Sequence, residues 1–205
     1  MFVFWLHPLK RVESDLIFIN FATMALIKAC RGFEPQIGPD CFLAENATVV
    51  GDVQMGEQCS VWFSAVVRGD VNSIRMGNKV NIQDGAVLHC TYEKTKLHIG
   101  NNVSIGHNAL VHGCTIEDNV LIGMGSIVMD NCHIETNSIV AAGAVLTEGT
   151  RVESWSIYAG IPAKKIKTLT PELFAGEVQR IANNYVLYSS WFKENAYIYL
   201  QTSFP

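Results

Sequence analysis

The sequence predicts an all-β fold: a parallel β-helix of six to seven coils with three strands per coil, followed by one C-terminal α-helix. Aliphatic residues recur at every sixth position between Ile37 and Val152, with a few altered steps, and glycine or another small residue often follows them. An α-helix would repeat its apolar residues every three or four positions, so a period of six indicates short strands joined by tight turns. A helical apolar stripe after Thr170 predicts the C-terminal helix.

Composition and charge exclude several classes of protein. The chain has 205 residues, a formal net charge of −4, 17% charged residues and 49% hydrophobic residues. A sequence-independent nucleic-acid binder needs a basic face, and a disordered chain has few apolar residues, so neither class fits. No apolar run reaches the roughly 18 residues of a membrane span. We therefore expect no nucleic-acid partner and no membrane partner.

Cysteine usage bears on the compartment. Six cysteines are scattered along the chain without a CxxC pair. In a chain long enough to bury its own core, this usage is typical of reduced thiols rather than of a disulfide framework, which predicts a cytoplasmic protein.

Three segments are expected along the chain. Residues 24–167 form the β-helix with the functional site, and residues 168–205 form the C-terminal helix and tail. Residues 1–23 do not match the repeat: two apolar clumps flank the charged stretch from Lys10 to Asp15, a pattern that fails the criteria for a secretory signal. We expect Met24 to be the natural start and residues 1–23 to be an upstream extension; the alternative is a membrane-seeking segment.

Grouping the aliphatic residues by threes gives the coils of a triangular prism. The six groups are Ile37, Leu43 and Val49; Met55, Val61 and Val67; Met76, Ile82 and Leu88; Ile99, Ile105 and Val111; Ile116, Ile122 and Val128; and Ile134, Val140 and Leu146. A partial seventh coil begins at Val152. The longer steps after Val67 and Leu88 predict loops that bulge out at one corner. Equivalent residues of stacked coils should lie about 4.8 Å apart, the spacing of neighbouring strands.

The C-terminal helix has a recognisable start. Thr170 is a suitable N-cap, and Pro171 follows at the first helical position. One apolar stripe then follows helical spacing: Phe174, Val178, Ile181, Tyr185, Tyr188 and Phe192. We expect this stripe to pack along one face of the prism.

Two histidines occupy equivalent positions on successive coils. His89 follows Leu88 and His112 follows Val111, so both lie on the third face of the prism. Their side chains should stack one strand spacing apart, close enough for two imidazoles to bind one metal ion. Arg68 occupies the same column one coil earlier.

A third histidine lies on a different face. His107 stands two residues after Ile105, and Asp84 takes the same position one coil earlier. This second face cannot reach the column of His89 and His112 within one chain. Prisms arranged around a threefold axis would bring the two columns together, which places the metal between subunits. The remaining histidines are interpreted as structural: His7, His98 and His133.

These residues resemble the γ-class carbonic anhydrase family. The resemblance rests on three features in order along residues 31–190: Arg68-Gly69-Asp70, then Asn81-Ile82-Gln83-Asp84, then the histidines at 89, 107 and 112. It implies a left-handed β-helix, a homotrimer and a metal at each subunit interface. The periodicity by itself does not determine the hand of the helix.

The resemblance also implies a reaction, the reversible hydration of CO2 to bicarbonate. Three neutral imidazoles leave a coordination position for water, whose pKa the metal lowers toward about 7. Zinc is the expected metal, and Fe(II) and Co(II) accept the same ligands. By resemblance Gln83 orients the reacting groups, Asn81 supports the strand or the bicarbonate site, and Tyr185 lines the site.

The resemblance further implies an ion pair at the subunit interface, formed by Arg68 with Asp70 or Asp84. The sequence departs from the family in its proton-transfer residues. Well-characterised members carry a glutamate directly after the RGD segment, where this chain has Val71, and another in a longer acidic loop. In the short loop after His89, Glu93 is the one substitute. Because hydroxide must be regenerated by proton transfer, this departure predicts slow or buffer-dependent turnover.

Two other functions fit the same repeat. An acyl-CoA acyltransferase or thioesterase on this scaffold needs one histidine as a base, and three histidines on two facing columns favour a metal site instead. A trimeric scaffold that retains a metal without catalysis also fits, because the shuttle glutamates are missing. Fold alone does not choose among these functions.

Overall fold

The computed structural model describes residues 24–201, with side chains up to Lys193. The predicted extension, residues 1–23, lies outside the described residues. Within residues 24–201, no helix combines the length and the hydropathy of a membrane span.

The described chain forms short strands followed by a helical segment. In chain order the strands are β1 (Leu26–Lys28), β2 (Gln36–Ile37), β3 (Phe42–Leu43), β4 (Thr48–Met55), β5 (Ser60–Val61), β6 (Val66–Met76), β7 (Asn81–Ile82), β8 (Val87–His89), β9 (Leu97–Ile99), β10 (Ser104–Ile105), β11 (Leu110–His112), β12 (Thr115–Ile116), β13 (Val120–Ile122), β14 (Ile127–Val128), β15 (His133–Ile134), β16 (Ser138–Val140), β17 (Val145–Leu146), β18 (Arg151–Val152), β19 (Ser156–Gly160) and β20 (Ala163–Thr168). The helices are α1 (Pro171–Leu173) and α2 (Arg180–Gln201), joined by a π-helical turn over Phe174–Gln179.

The strands stack as a left-handed parallel β-helix of about seven turns, which confirms the predicted fold class. Each coil pairs in parallel with the next in the predicted register: Ile82 is opposite Ile105 on the second face, and Leu88 is opposite Val111 on the third. β19 and β20 close the far end as an antiparallel pair. Because β4 and β6 run through one corner, the first and third faces join into one sheet.

The predicted aliphatic column forms the core of the prism. From Val49 to Val152 every one of these side chains is at most 6% exposed. Ile37 and Leu43 are half-buried, because they lie in the first coil and no complete coil covers them. Removing each such side chain from water contributes about 1.5–3 kcal/mol, so the repeat itself supplies most of the driving force for folding.

The two predicted corner loops differ in the structure. The extra residues after Val67 do not form a separate loop but a bulge inside β6: Gly69 is opposite Gly51, whereas Ile74 is opposite Val53. The strand stays continuous because its ends remain paired to β4 on both sides of the bulge. The second extension does form a loop after His89, closed where Thr91 O accepts the N–H of Lys94 and of Thr95, both at 3.2 Å.

The C-terminal helix begins where the sequence predicts. Thr170 Oγ1 accepts the N–H of Leu173 at 3.3 Å, and Pro171 is the first helical residue. The expectation of regular α-helical spacing is wrong over Phe174–Gln179, where the backbone forms a π-helical turn. In this wider turn Phe174 packs on Trp155 with ring centroids 5.4 Å apart, and Val178 is buried.

The second helix covers the second face of the prism. Trp62, which follows β5, contacts two α2 side chains edge to face: Tyr185 with ring centroids 5.2 Å apart and Phe192 at 5.5 Å. Phe192 also packs on Phe42, with ring centroids 5.3 Å apart. This contact brings Tyr185 alongside the column that contains His107.

Candidate metal centre

Two histidines meet on the third face of the prism. His89 ends β8 and His112 ends β11, and the two residues are opposite each other in adjacent strands. His89 Nδ1 lies 3.1 Å from His112 Nε2. Their side chains are 17% and 26% exposed, so both imidazoles are accessible from the surface of the chain while lying largely out of water.

A carboxylate holds the other nitrogen of each ring. His89 Nε2 lies 3.0 Å from Asp70 Oδ1, and His112 Nδ1 lies 2.6 Å from Asp130 Oδ1. When each of these nitrogens donates its N–H to the carboxylate, the remaining nitrogen of each neutral ring carries a lone pair. The two lone pairs then face each other at 3.1 Å. They repel unless a proton or a cation lies next to both.

The donor set fits a first-row divalent cation. Imidazole nitrogens bound to tetrahedral zinc at about 2.0–2.1 Å lie about 3.3 Å from each other, close to the separation of His89 Nδ1 and His112 Nε2. Histidines that bind metals almost always donate their second N–H to a carboxylate, a carbonyl or water, as both rings do here. The geometry therefore meets the requirements for two of three ligands.

Electrostatics around the pair favour the protonation states that metal binding requires. Burial lowers the pKa of His89, although its hydrogen bond to Asp70 acts in the opposite direction, so the neutral ring is favoured. Burial acts to raise the pKa of Asp70, but hydrogen bonds from Arg68 and His89 outweigh it, so the pKa of this carboxyl is lowered. Burial also acts to raise the pKa of Asp130, but hydrogen bonds from Thr91 and His112 outweigh it, so this pKa is lowered too. Both carboxylates therefore stay ionised.

His107 lies on the second face, away from that pair. Its Nδ1 is 2.8 Å from Asp84 Oδ2, and its Nε2 is 3.4 Å from the hydroxyl of Tyr185. Burial, with the charge of Asp84 adding to it, raises the pKa of Tyr185 to about 12, so the phenol stays protonated. No three His, Cys, Asp or Glu side chains in the described part of the chain lie close enough to hold a metal ion.

A chain of hydrogen bonds through two buried side-chain amides, Gln83 and Asn81, holds the backbone at His107. Gln83 Oε1 accepts the backbone N–H of His107 at 3.2 Å, and Gln83 Nε2 donates to Asn81 Oδ1 at 3.0 Å. Asn81 Nδ2 in turn donates to Ser104 Oγ at 2.8 Å. Gln83 and Asn81 are almost fully buried. These hydrogen bonds determine the orientation of both amides. The amide oxygen of Gln83 therefore points to the backbone of His107.

The structure divides the sequence-predicted residues into two groups. Arg68 lies with the His89 and His112 pair, because its guanidinium is 2.6 Å from Asp70. Asp84 contacts His107 rather than Arg68 within the chain. Glu93 belongs to neither group: it is exposed on the turn after His89, next to Tyr92.

Sequence reasoning missed Asp130 and its two threonines. Asp130 Oδ2 accepts the hydroxyl of Thr91 at 2.6 Å, and Oδ1 accepts that of Thr95 at 3.2 Å. Asp130 therefore fastens the loop after His89 to the ring of His112. A signal existed, because Asp130 stands 18 residues after His112, one coil on and next to the histidine column.

Comparisons with known proteins identify the family of this chain. Residues 96–126 and 113–148 match the family of bacterial transferase hexapeptide proteins (six repeats). The chain is 44% identical to a carbonic anhydrase of Geobacillus kaustophilus, over 82% of this chain and 91% of that protein. It is 40% identical to the mitochondrial gamma carbonic anhydrase 2 of Arabidopsis thaliana, over 74% of this chain and 56% of that protein. The chain belongs to the γ-class carbonic anhydrase-like family of hexapeptide-repeat proteins.

A similar solved structure is named after a transferase family. A hexapeptide transferase family protein from Anaplasma phagocytophilum is 39% identical, with a TM-score of 0.76, over 82% of this chain and 98% of that one. Carbonic anhydrase-like relatives imply a metal cofactor, and the paired imidazoles fit one. The fold by itself does not decide the reaction.

Proposed function

We propose that this protein is a metal-dependent carbonic anhydrase that interconverts CO2 and bicarbonate at a three-histidine site between the subunits of a homotrimer. One observation carries the proposal: His89 Nδ1 and His112 Nε2 converge to 3.1 Å while carboxylates hold their other nitrogens. An acyl transferase needs one histidine as a base and has no use for two facing lone pairs. A metal cation shared by the two nitrogens would stabilise this pair.

The third ligand of the proposed site is His107 of a neighbouring subunit. Within one chain His107 belongs to the second face, where Asp84 holds its Nδ1; its Nε2, 3.4 Å from the Tyr185 hydroxyl, would be the atom that binds the metal. A cyclic trimer would place this face against the third face of the next copy and create three equivalent sites. The bound metal, Zn(II) or alternatively Fe(II) or Co(II), would act as a Lewis acid and make hydroxide available near neutral pH.

The remaining residues of the chain position the reactants. Gln83 donates one amide hydrogen to Asn81. Its second amide hydrogen would donate to an oxygen of CO2 or bicarbonate. Tyr185, protonated and next to His107 Nε2, lines the same edge of the site. Arg68 fixes Asp70, and Asp70 orients His89.

Proton release is expected to be the slow step of the proposed reaction. Glu93 is the one carboxylate of the loop after His89, and it is exposed at a left-handed turn position with a φ of 55°. A carboxylate in that position can pass protons to buffer, but Tyr92, to which it is hydrogen-bonded, is itself exposed and does not direct it toward the histidines. Hydration should therefore depend on buffer concentration more steeply than in an enzyme with a dedicated proton shuttle.

The decisive measurement combines elemental analysis with stopped-flow CO2 hydration on purified protein. We expect about one transition metal per chain in the wild type, and loss of both metal and hydration in His107→Ala. His98→Ala is the matched control, because His98 is an exposed histidine on the first face. This variant should keep metal and activity.

Two other outcomes would contradict the proposal. Metal-free protein with CoA-dependent turnover would show an acyltransferase or thioesterase. Full metal content with no hydration in any buffer, whether zinc or Fe(II) is bound, would show a trimeric scaffold that retains a metal without catalysis.

A further inference from the structure

Two cysteines outside the histidine site stack on adjacent coils. Cys41 immediately precedes β3 and Cys59 immediately precedes β5, and these strands pair in parallel with Phe42 opposite Ser60. The N–H of Phe42 donates to Cys59 O at 2.9 Å, so the two cysteines lie at equivalent corner positions. Neighbouring strands are about 4.8 Å apart. This spacing lies within the range of about 4.4–6.8 Å between the Cα atoms of a disulfide.

The two thiols differ in exposure. Cys41 is partly exposed, whereas Cys59 is 1% exposed. Neither cysteine is in a disulfide in the structure, and each thiol lies at hydrogen-bond distance from a carbonyl of the next coil: Cys41 Sγ to Gly56 O at 3.1 Å and Cys59 Sγ to Gly77 O at 3.2 Å. An oxidant can therefore reach Cys41 from solvent, whereas Cys59 is shielded from solvent.

The charged groups around Cys41 favour its thiolate. The neighbouring Cys59 side chain lowers the pKa of Cys41 to about 7, against burial and the charge of Asp40, and the ammonium of Lys193 adds to the decrease. Lys193 is held next to this corner because its Nζ donates to Asp40 O at 2.5 Å. The contact with Cys41 and burial raise the pKa of Cys59, which stays a thiol. A thiolate beside a thiol is the arrangement of a peroxide-sensitive pair.

A second cysteine stack shows what distinguishes this one. Cys114 and Cys132 also lie on adjacent coils, because Thr115 is opposite His133. Both are 2% exposed, and burial raises the pKa of each thiol. Stacking alone therefore does not make a reactive pair. Exposure and a neighbouring positive charge occur together at Cys41.

We propose that Cys41 and Cys59 form a redox site that a hydroperoxide oxidises to an intrachain disulfide. The Cys41 thiolate attacks the terminal peroxide oxygen and the O–O bond breaks, which forms a sulfenic acid and releases hydroxide from hydrogen peroxide or an alkoxide from an organic hydroperoxide. The Cys59 thiol then attacks the Cys41 sulfur, the new S–S bond forms, and the hydroxyl leaves as water. A dithiol reductant reverses the reaction by thiol–disulfide exchange. The site lies on the first two coils, so it is independent of the histidine pair and of the proposed hydration.

The test exposes the purified full chain to hydrogen peroxide, blocks remaining thiols with iodoacetamide and maps the peptides by mass spectrometry. We expect a Cys41–Cys59 linkage, with a loss of two hydrogens, that dithiothreitol reverses. In Cys59→Ser the resolving thiol is gone, so dimedone should trap a sulfenic acid on Cys41. Cys30→Ser removes the other partly exposed cysteine and should form the linkage as the wild type does.

Three results would overturn the redox site. The first is full alkylation of Cys41 and Cys59 after peroxide treatment. The second is a disulfide that joins Cys41 to Cys30 or to a second chain. The third is the absence of a dimedone adduct on Cys41 in the Cys59→Ser protein.

Discussion

At the scale of single residues, the candidate site consists of three imidazole–carboxylate pairs. His89 pairs with Asp70, His112 with Asp130 and His107 with Asp84, at 3.0, 2.6 and 2.8 Å. Each carboxylate fixes the ring and raises the basicity of the nitrogen that remains free. Asp130 also accepts the hydroxyls of Thr91 and Thr95, as Asp70 also binds Arg68.

Asp130→Asn should weaken metal binding about 10- to 100-fold, because His112 loses its charged hydrogen-bond partner. Competition with a chelator of known affinity measures the change. Asp118→Asn is the control: Asp118 accepts the N–H of Asn101 at 2.7 Å at another corner and contacts no histidine in the described contacts. Equal metal affinity in Asp130→Asn and wild type would remove Asp130 from the site.

At the scale of elements, adjacent coils of the prism approach each other too closely at some corners to leave room for a side chain. A Cβ added to Gly56 would lie 2.6 Å from Gly77 O and 2.3 Å from Asn78 Oδ1. Backbone atoms of the next coil cannot move away without breaking strand pairing. Glycine after the inward aliphatic residue is therefore required here by the approach of two coils, which is the physical origin of the small residue seen in the sequence repeat.

Gly56→Ala should lower the free energy of unfolding by about 2 kcal/mol through overpacking. Gly176→Ala is the matched control, because a Cβ there meets nothing within 4 Å and the backbone φ is ordinary. It should leave stability unchanged or raise it by about 0.5 kcal/mol by restricting the unfolded chain. Thermal midpoints at one protein concentration and one metal occupancy measure both variants. Equal midpoints would contradict the packing argument.

At the scale of the whole molecule, the candidate site is split between two faces of the prism. The third face carries His89 and His112, the second face carries His107, and no set of three possible ligands meets in the described part of one chain. A rigid prism cannot fold one face onto another. A complete three-histidine site would therefore require a second copy, which the proposed trimer would supply at every interface.

Mixed trimers should recover activity that neither parent has. His107→Ala and His112→Ala subunits, coexpressed with different tags and purified on both, form trimers in which one interface of three joins an intact His107 to an intact His89 and His112 pair. Hydration and metal content should return to about one third of the wild-type level. Each parent alone should show neither. Inactive mixed trimers would place all three ligands in one chain, contrary to the proposed shared site.

The sequence by itself determined the β-helix, its coils and the histidine columns, because a period of six places the same position of every coil on one face. Only the tertiary structure decided the partners of those columns. Asp130 reaches His112 across a corner, the residues after Val67 form a bulge that brings Asp70 to His89, and α2 carries Tyr185 to His107. Corner geometry, π-helical turns and side-chain directions depend on contacts between coils, and these are not periodic in the sequence.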